Sequence, residues 1–133
     1  MALSMDLDIK IGDTFWSPRW AVVISGTPVD LTVNWTVRAQ IRARPDSMTV
    51  LHTFTGSGVQ VTAPVPDADP DLVVPSTVQL YIPPATTQLF TEWVGVWDLE
   101  IEHPTYGLGG TLYRKTVLSG VARTTWDVTR TGS

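Results

Sequence analysis

The sequence predicts an all-β fold: a single-domain, Ig-like antiparallel β-sandwich of about eight strands. Three observations carry that prediction. From Val33 to Arg44 the chain alternates without a fault, with Val33, Trp35, Val37, Ala39, Ile41 and Ala43 on one side. Asn34, Thr36, Arg38, Gln40, Arg42 and Arg44 fall on the other. A period of two over this length marks a strand with one buried and one wet face, whereas a helix would scatter both sets around its circumference. Trp93 to Glu102 repeats the pattern, with Trp97, Leu99 and Ile101 inward and Asp98, Glu100 and Glu102 outward. Around these stretches, turn signals built from Gly, Pro, Asp and Ser recur at short intervals, as a sandwich or barrel of short strands requires.

Taken in order, residues 6–11 alternate Leu7, Ile9 and Ile11 against Asp6, Asp8 and Lys10 and read as a first strand. Gly12-Asp13 is a turn signal. Pro18 cannot donate a ladder hydrogen bond, so it marks an edge, a bulge or a strand start. Trp20 to Ile24 is apolar throughout and reads as buried on both faces. Ser25-Gly26-Thr27-Pro28 turns the chain toward the strand at 33–44, and Arg44-Pro45-Asp46-Ser47 closes that strand into a hairpin with Met48–Phe54. Gly56-Ser57-Gly58 is a tight turn before a short strand, Val59–Ala63. Residues 64–75, rich in Pro and Asp, read as an extended surface loop. Ser76–Ile82 returns to strand, with Val78, Leu80 and Ile82 on one face. Ala85–Phe90 suits a single helical turn, with Ala85 and Leu89 four apart. After the strand at 93–102, residues 103–110 form a Gly-rich loop. Thr111–Arg123 is a long strand with a bulge expected at Ser119-Gly120. Trp126-Asp127-Val128 closes the ordered part, and a short flexible tail follows.

The chain has 133 residues, which suits one domain spanning 1–133 with a core of its own. It has no Cys, so disulfide frameworks and thiolate metal sites are excluded, in keeping with folding in a reducing cytoplasm. A net charge of −4 argues against direct nucleic-acid binding, whose affinity comes from neutralising phosphates. No basic-then-apolar leader and no long apolar run occurs, so neither secretion nor membrane insertion is expected.

No set of residues spells out a reaction. Asp67, Asp69 and Asp71 space carboxylates as the start of a calcium loop does, but Leu72 and Val78 stand where such a loop needs Gly and Glu. No metal and no cofactor is therefore expected. His52 and His103 lack the convergent partners of a zinc site and read as ordinary surface or turn histidines. No nucleophile elbow occurs. Asp98 and Glu100 share a face at a spacing that glycoside hydrolysis and a solvated strand allow equally. Of the six Trp, Trp20, Trp35 and Trp97 read as core, while Trp16, Trp93 and Trp126 lie near strand ends.

The order of several short fragments is similar to that in small tail or baseplate-associated structural proteins of tailed bacteriophages. The fragments are Asp30-Leu31-Thr32 followed by Val37 and Ile41-Arg42, then Pro84-Ala85-Thr86-Thr87-Gln88-Leu89. Trp97-Asp98-Leu99-Glu100-Ile101, Leu118-Ser119-Gly120 and Val128-Thr129-Arg130 complete them, so the resemblance covers roughly residues 6–130. It implies a non-enzymatic virion component that binds copies of itself and other virion proteins. Baseplate proteins of this type carry a long C-terminal extension that is not seen here, which leaves a minor tail protein. A capsid decoration or head–tail protein of similar fold is the alternative. A carbohydrate-binding module for the host surface is a further one, and it would need two coplanar exposed aromatic rings.

An interface is expected on two features. Leu112 and Leu118 on one face of the long strand, with Tyr113, Val117 and Val121 on the other, suggest burial on both sides and a site for strand addition. Arg38, Arg42 and Arg44 oppose an acidic set, Asp98, Glu100 and Glu102. If the two strands are neighbours these are local cross-strand pairs, which is the expectation. If not, separate basic and acidic stripes could dock copies head to tail.

Overall fold

A computed structural model describes residues 3–44, 48–66 and 73–126. Fourteen strand segments follow in chain order: β1 (Leu3–Ser4), β2 (Leu7–Ile11), β3 (Phe15–Trp16), β4 (Trp20–Ala21), β5 (Val23–Ile24), β6 (Thr27–Pro28), β7 (Thr36–Arg42), β8 (Val50–Phe54), β9 (Val59–Val61), β10 (Val65–Pro66), β11 (Val73–Val74), β12 (Thr77–Ile82), β13 (Val94–His103) and β14 (Tyr113–Trp126). One helical turn, α1 (Pro84–Thr87), lies between β12 and β13. The chain is all-β and sandwich-like. A large sheet runs β1-β14-β13-β7-β8, with β2 also on β14. A small sheet is centred on β12, flanked by β9 on one side and by β3 and β4 on the other.

The alternations place the core between the sheets. β2, β12 and β13 bury Leu7, Ile9, Ile11, then Val78, Leu80, Ile82, then Trp97, Leu99, Ile101, all at 2% exposure or less. Burial of each such side chain contributes about 1.5–3 kcal/mol. Four hydroxyls work inside this apolar space. Ser17 Oγ accepts from Leu80 N–H at 2.8 Å, and Ser76 Oγ accepts from Leu31 N–H at 3.1 Å. Thr87 Oγ1 donates to the Asp13 carbonyl at 2.7 Å, and Thr124 Oγ1 donates to the Thr91 carbonyl at 2.6 Å. Each pins a loop where its backbone has no strand partner, which removes an otherwise costly buried polar group.

Several expectations are corrected. The sandwich is not wholly antiparallel, because β1 and β2 both run parallel to β14. The strand expected from Val33 begins at Thr36. Asn34 has φ 63°, and Val33 closes a turn on the Asp30 carbonyl. Trp20–Ile24 is not buried on both faces: Val23 is 46% exposed while Val22 and Ile24 are buried, because this stretch lies at the sheet edge. Ser25 (φ 51°) and Gly26 (φ 77°) turn it into β6, both in the left-handed region that two-residue hairpins need. Within 64–75, β10 and β11 pair antiparallel rather than forming only loop, and Asp67, Asp69 and Asp71 lie outside the described residues. The tail from Asp127, including Val128-Thr129-Arg130, also lies outside them. In the helical turn, Leu89 is exposed and Thr87 is the anchor, so Ala85 and Leu89 form no packed pair.

The bulge in β14 falls at Val117, not at Ser119-Gly120. Glu100 faces Thr116 and Leu99 faces Leu118, leaving Val117 as the extra residue. Gly120 has a different task. A Cβ there would lie 2.0 Å from the Met5 carbonyl oxygen, so only glycine lets the N-terminal segment cross β14. That carbonyl also accepts from Trp97 Nε1 at 2.7 Å. Gly120→Ala is expected to cost about 1–3 kcal/mol by overpacking, read as a lower urea midpoint.

His52 is not a surface histidine. It faces inward beside Phe54 and Phe90, with ring centroids at 4.7 and 5.5 Å. Burial pushes its pKa down. A proton then binds the unfolded chain more readily than the folded one below the ordinary histidine value of about 6.5. Thermal stability is therefore expected to fall on acidification from that value, and His52→Phe to flatten this slope in melting curves taken across it.

Candidate functional site

The site residues expected from sequence fall on one sheet face and along one strand edge. β7 and β13 are antiparallel neighbours, with Arg38 opposite Glu100, Gln40 opposite Asp98 and Arg42 opposite Val96. The premise of separate basic and acidic stripes is thereby overturned: the two sets interleave on the outer face of the large sheet. Arg38 Nη2 meets Glu102 Oε2 at 3.1 Å. Arg114, which sequence reasoning passed over, reaches Glu102 Oε1 at 2.7 Å and Glu100 Oε1 at 3.5 Å. The Arg114 hydrogen bond holds the Glu102 carboxyl below the usual range against partial desolvation, and the charges of Arg114 and Arg38 act in the same sense as that bond. The result is a guanidinium–carboxylate cluster over three strands, β7, β13 and β14.

Arg42 and Asp98 stand apart from that cluster. Arg42 Nε donates to Gln40 Oε1 at 2.8 Å. Asp98 faces Gln40 on one side and Ser119 on the other. Val96 and Val121 sit opposite each other beside them, half-buried on the outer face. Arg44 is exposed past the end of β7.

The long strand differs from its expected two-faced form. The bulge at Val117 resets the alternation, so Tyr113 and Val117 pack toward the core while Val121 faces out. Leu112 is 55% exposed and precedes the strand. Tyr113 ends in an aromatic cluster with Trp35, Tyr106 and His103, and the Trp35–Tyr113 and Trp35–His103 centroids are 5.8 and 4.9 Å apart. His103 Nδ1 accepts from Thr105 N–H at 3.1 Å, which makes it a turn residue.

Two grooves open where the sheets part. One, of about 690 Å³, runs along β7 from Leu31, Trp35 and Val37 toward Asp98 and Glu100. It exists because β8 pairs with β7 only from Ala39 onward. The other, of about 380 Å³, lies between β14 and β4. β14 is hydrogen-bonded to β13 from Tyr113, but its opposite edge is paired only from Leu118.

Among the described residues, no three His, Asp or Glu side chains converge as a metal site would require. Among the described residues no helix is long and apolar enough to cross a membrane. Exposed Trp16 meets Tyr81 at 4.4 Å with a 38° tilt, and the stacked Trp20–Trp97 pair faces the core. Compared with known proteins, the chain matches no family model and no curated protein.

The pairing geometry generates a pH prediction. The Glu102 contribution is present above the ordinary carboxyl range and is lost as pH falls through its lowered folded value. Arg114→Gln is expected to weaken this contribution, so the variant loses less stability than the parent on acidification through that range. Urea unfolding at stepped pH measures it.

Proposed function

We propose that the chain is a non-enzymatic structural component of a tailed-bacteriophage virion. In this reading it is a minor tail or baseplate-associated protein that works by packing against copies of itself and neighbouring virion proteins. The observation that carries the reading is the half-covered edge of β14, where Tyr113–Val117 presents backbone groups with no partner strand among the described residues. Such an edge is a template for strand addition, and soluble monomers usually blunt it.

The ordered fragments also support the reading. Asp30-Leu31-Thr32 makes a compact turn here, with Asp30 Oδ1 accepting from Thr32 N–H at 3.0 Å and Leu31 buried at 2% exposure. Pro84–Thr87 makes the helical turn, and Trp97–Ile101 is the core of the central strand. Exposed Leu3 (72%), Val94 (68%) and Leu108 (97%) add apolar surface that subunit contacts would cover.

The virion proteins of the source phage, analysed by mass spectrometry with immunogold labelling of particles, test this directly. Detection at the tail supports the reading, detection at the capsid moves the protein to a decoration role, and absence from particles overturns it. Arg42→Glu tests the outer sheet face separately. Its only side-chain hydrogen bond among the described residues is to Gln40, so the fold is expected to lose under about 1 kcal/mol. Loss of particle incorporation at that small cost would make the Arg42–Val96–Val121 end of the face a subunit contact, and unchanged incorporation would exclude it.

A further inference from the structure

We propose that the outer face of the small sheet binds a neutral glycan, with one sugar ring stacked on Trp16 and its hydroxyls meeting the amides of Gln79 and, one strand further, Gln60. This inference is independent of the assembly reading above, and either can fail without the other.

Three observations meet on this face. The first is composition. Val78, Leu80 and Ile82 of β12 point into the core, so Thr77, Gln79 and Tyr81 point out. The register sets Trp16 opposite Tyr81, Ala21 opposite Thr77 and Gln60 opposite Gln79. None of these outward positions is charged, in a chain with 9 basic and 13 acidic residues. The second is a braced aromatic ring. Trp16 is 51% exposed, and Tyr81 meets it at a centroid separation of 4.4 Å and a tilt of 38°. At that separation the rings overlap rather than lie side by side, so Tyr81 holds one indole face and the other is left to solvent. The coplanar pair that an extended glycan surface would need is not formed, and one braced ring suits one sugar. The third is preorganisation. Gln79 Nε2 donates to the carbonyl of Ser17, the residue after Trp16, at 2.8 Å. Gln60 Nε2 donates to the Ser57 carbonyl at 2.8 Å. Each amide is fixed by one N–H, while its Oε1 and second N–H have no partner among the described residues. Gln79 and Tyr81 stand roughly 7 Å apart along the strand.

These features select among occupants. A sugar ring offers an apolar face to the indole and a rim of hydroxyls that both donate and accept, which is what fixed, uncharged amides can read. A nucleic-acid strand also stacks on aromatic rings, but its phosphates need a track of cations that these positions lack. Arg19, in the link before β4, is a lone cation outside the register positions. A protein partner would expect a broader apolar centre than Trp16, Tyr81 and Ala21 provide.

The full chain, labelled with ¹⁵N, is titrated to millimolar concentration with cellohexaose, maltohexaose and chitohexaose as neutral probes, and with tetragalacturonate as an acidic one. At least one neutral probe is expected to shift the Trp16 indole N–H resonance together with the Gln79 side-chain amide pair, and the acidic probe to shift neither. Trp16→Ala should lower the affinity for that probe by about tenfold or more, as loss of an aromatic stack does. Trp16→Tyr, which keeps a ring for Tyr81 to brace, should restore part of it. Trp126→Ala removes another exposed indole, on β14, and is expected to leave binding unchanged. An unchanged far-ultraviolet spectrum and melting temperature verify the fold of each variant. No shift at Trp16 with any neutral probe overturns the proposal, as does an equal shift with the acidic probe or unchanged affinity in Trp16→Ala. Loss of particle incorporation in Trp16→Ala, with no glycan response in the parent, assigns the face to a protein partner and sinks the glycan site. Glycan binding by a parent that is absent from particles sinks the virion role and leaves this proposal standing.

Discussion

The Trp97 indole, seated over Gly120 and hydrogen-bonded to the Met5 carbonyl, is the contact on which the rest of the sheet depends. It joins three pieces of chain far apart in sequence. Trp97 belongs to β13 and faces Gly120 of β14 across the ladder. Met5 links β1 to β2, and its own N–H donates to the Ser119 carbonyl at 2.9 Å. The ring needs an acceptor because it is only 2% exposed, and the backbone can supply one only where no Cβ intervenes. Asp6 completes the crossing by accepting from Val121 N–H at 3.1 Å. The N-terminal segment is thus laid parallel to β14 by side chains on both of its neighbours, and Leu7, Ile9 and Ile11 follow into the core in register.

That crossing has a consequence for the opposite end of β14. The N-terminal segment covers β14 from Leu118 to Trp126. Among the described residues no strand pairs with Tyr113–Val117 on that edge, and Val117 is the bulged residue. Bulges commonly end a pairing or re-aim a side chain, and this one does both. It turns Val117 onto the core, beside the groove between β14 and β4.

Much of this architecture was legible in the sequence because alternation is a direct record of burial. The inward residues of β2, β12 and β13 were readable one by one, as was the hairpin joining β7 to β8. The local charge pairing was also the expected arrangement, and Arg38 with Glu102 realises it. What escaped has physical causes. The Val117 bulge has no composition of its own, since Thr116-Val117-Leu118 reads as uninterrupted strand. Trp20–Ile24 looked doubly buried because edge strands can carry apolar residues on a wet face when little else covers them. His52 was misplaced because its aromatic neighbour Phe90 lies far along the chain. Arg114 gave one signal, a cation in a long strand, but its partners Glu100 and Glu102 were decided by a register that the bulge itself shifts.

The two surfaces singled out from the sequence now part company. On the outer face of the large sheet the charges are mostly answered from within the chain: Arg38 and Arg114 hold Glu100 and Glu102, and Arg123 meets Asp8 at 3.3 Å. A face whose charges already have partners offers a newcomer little beyond exchange of one exposed pair for another, which is worth little in water. Along β14 the Tyr113–Val117 edge has no partner strand among the described residues, and Arg19 and Lys115 nearby form no ion pair among them.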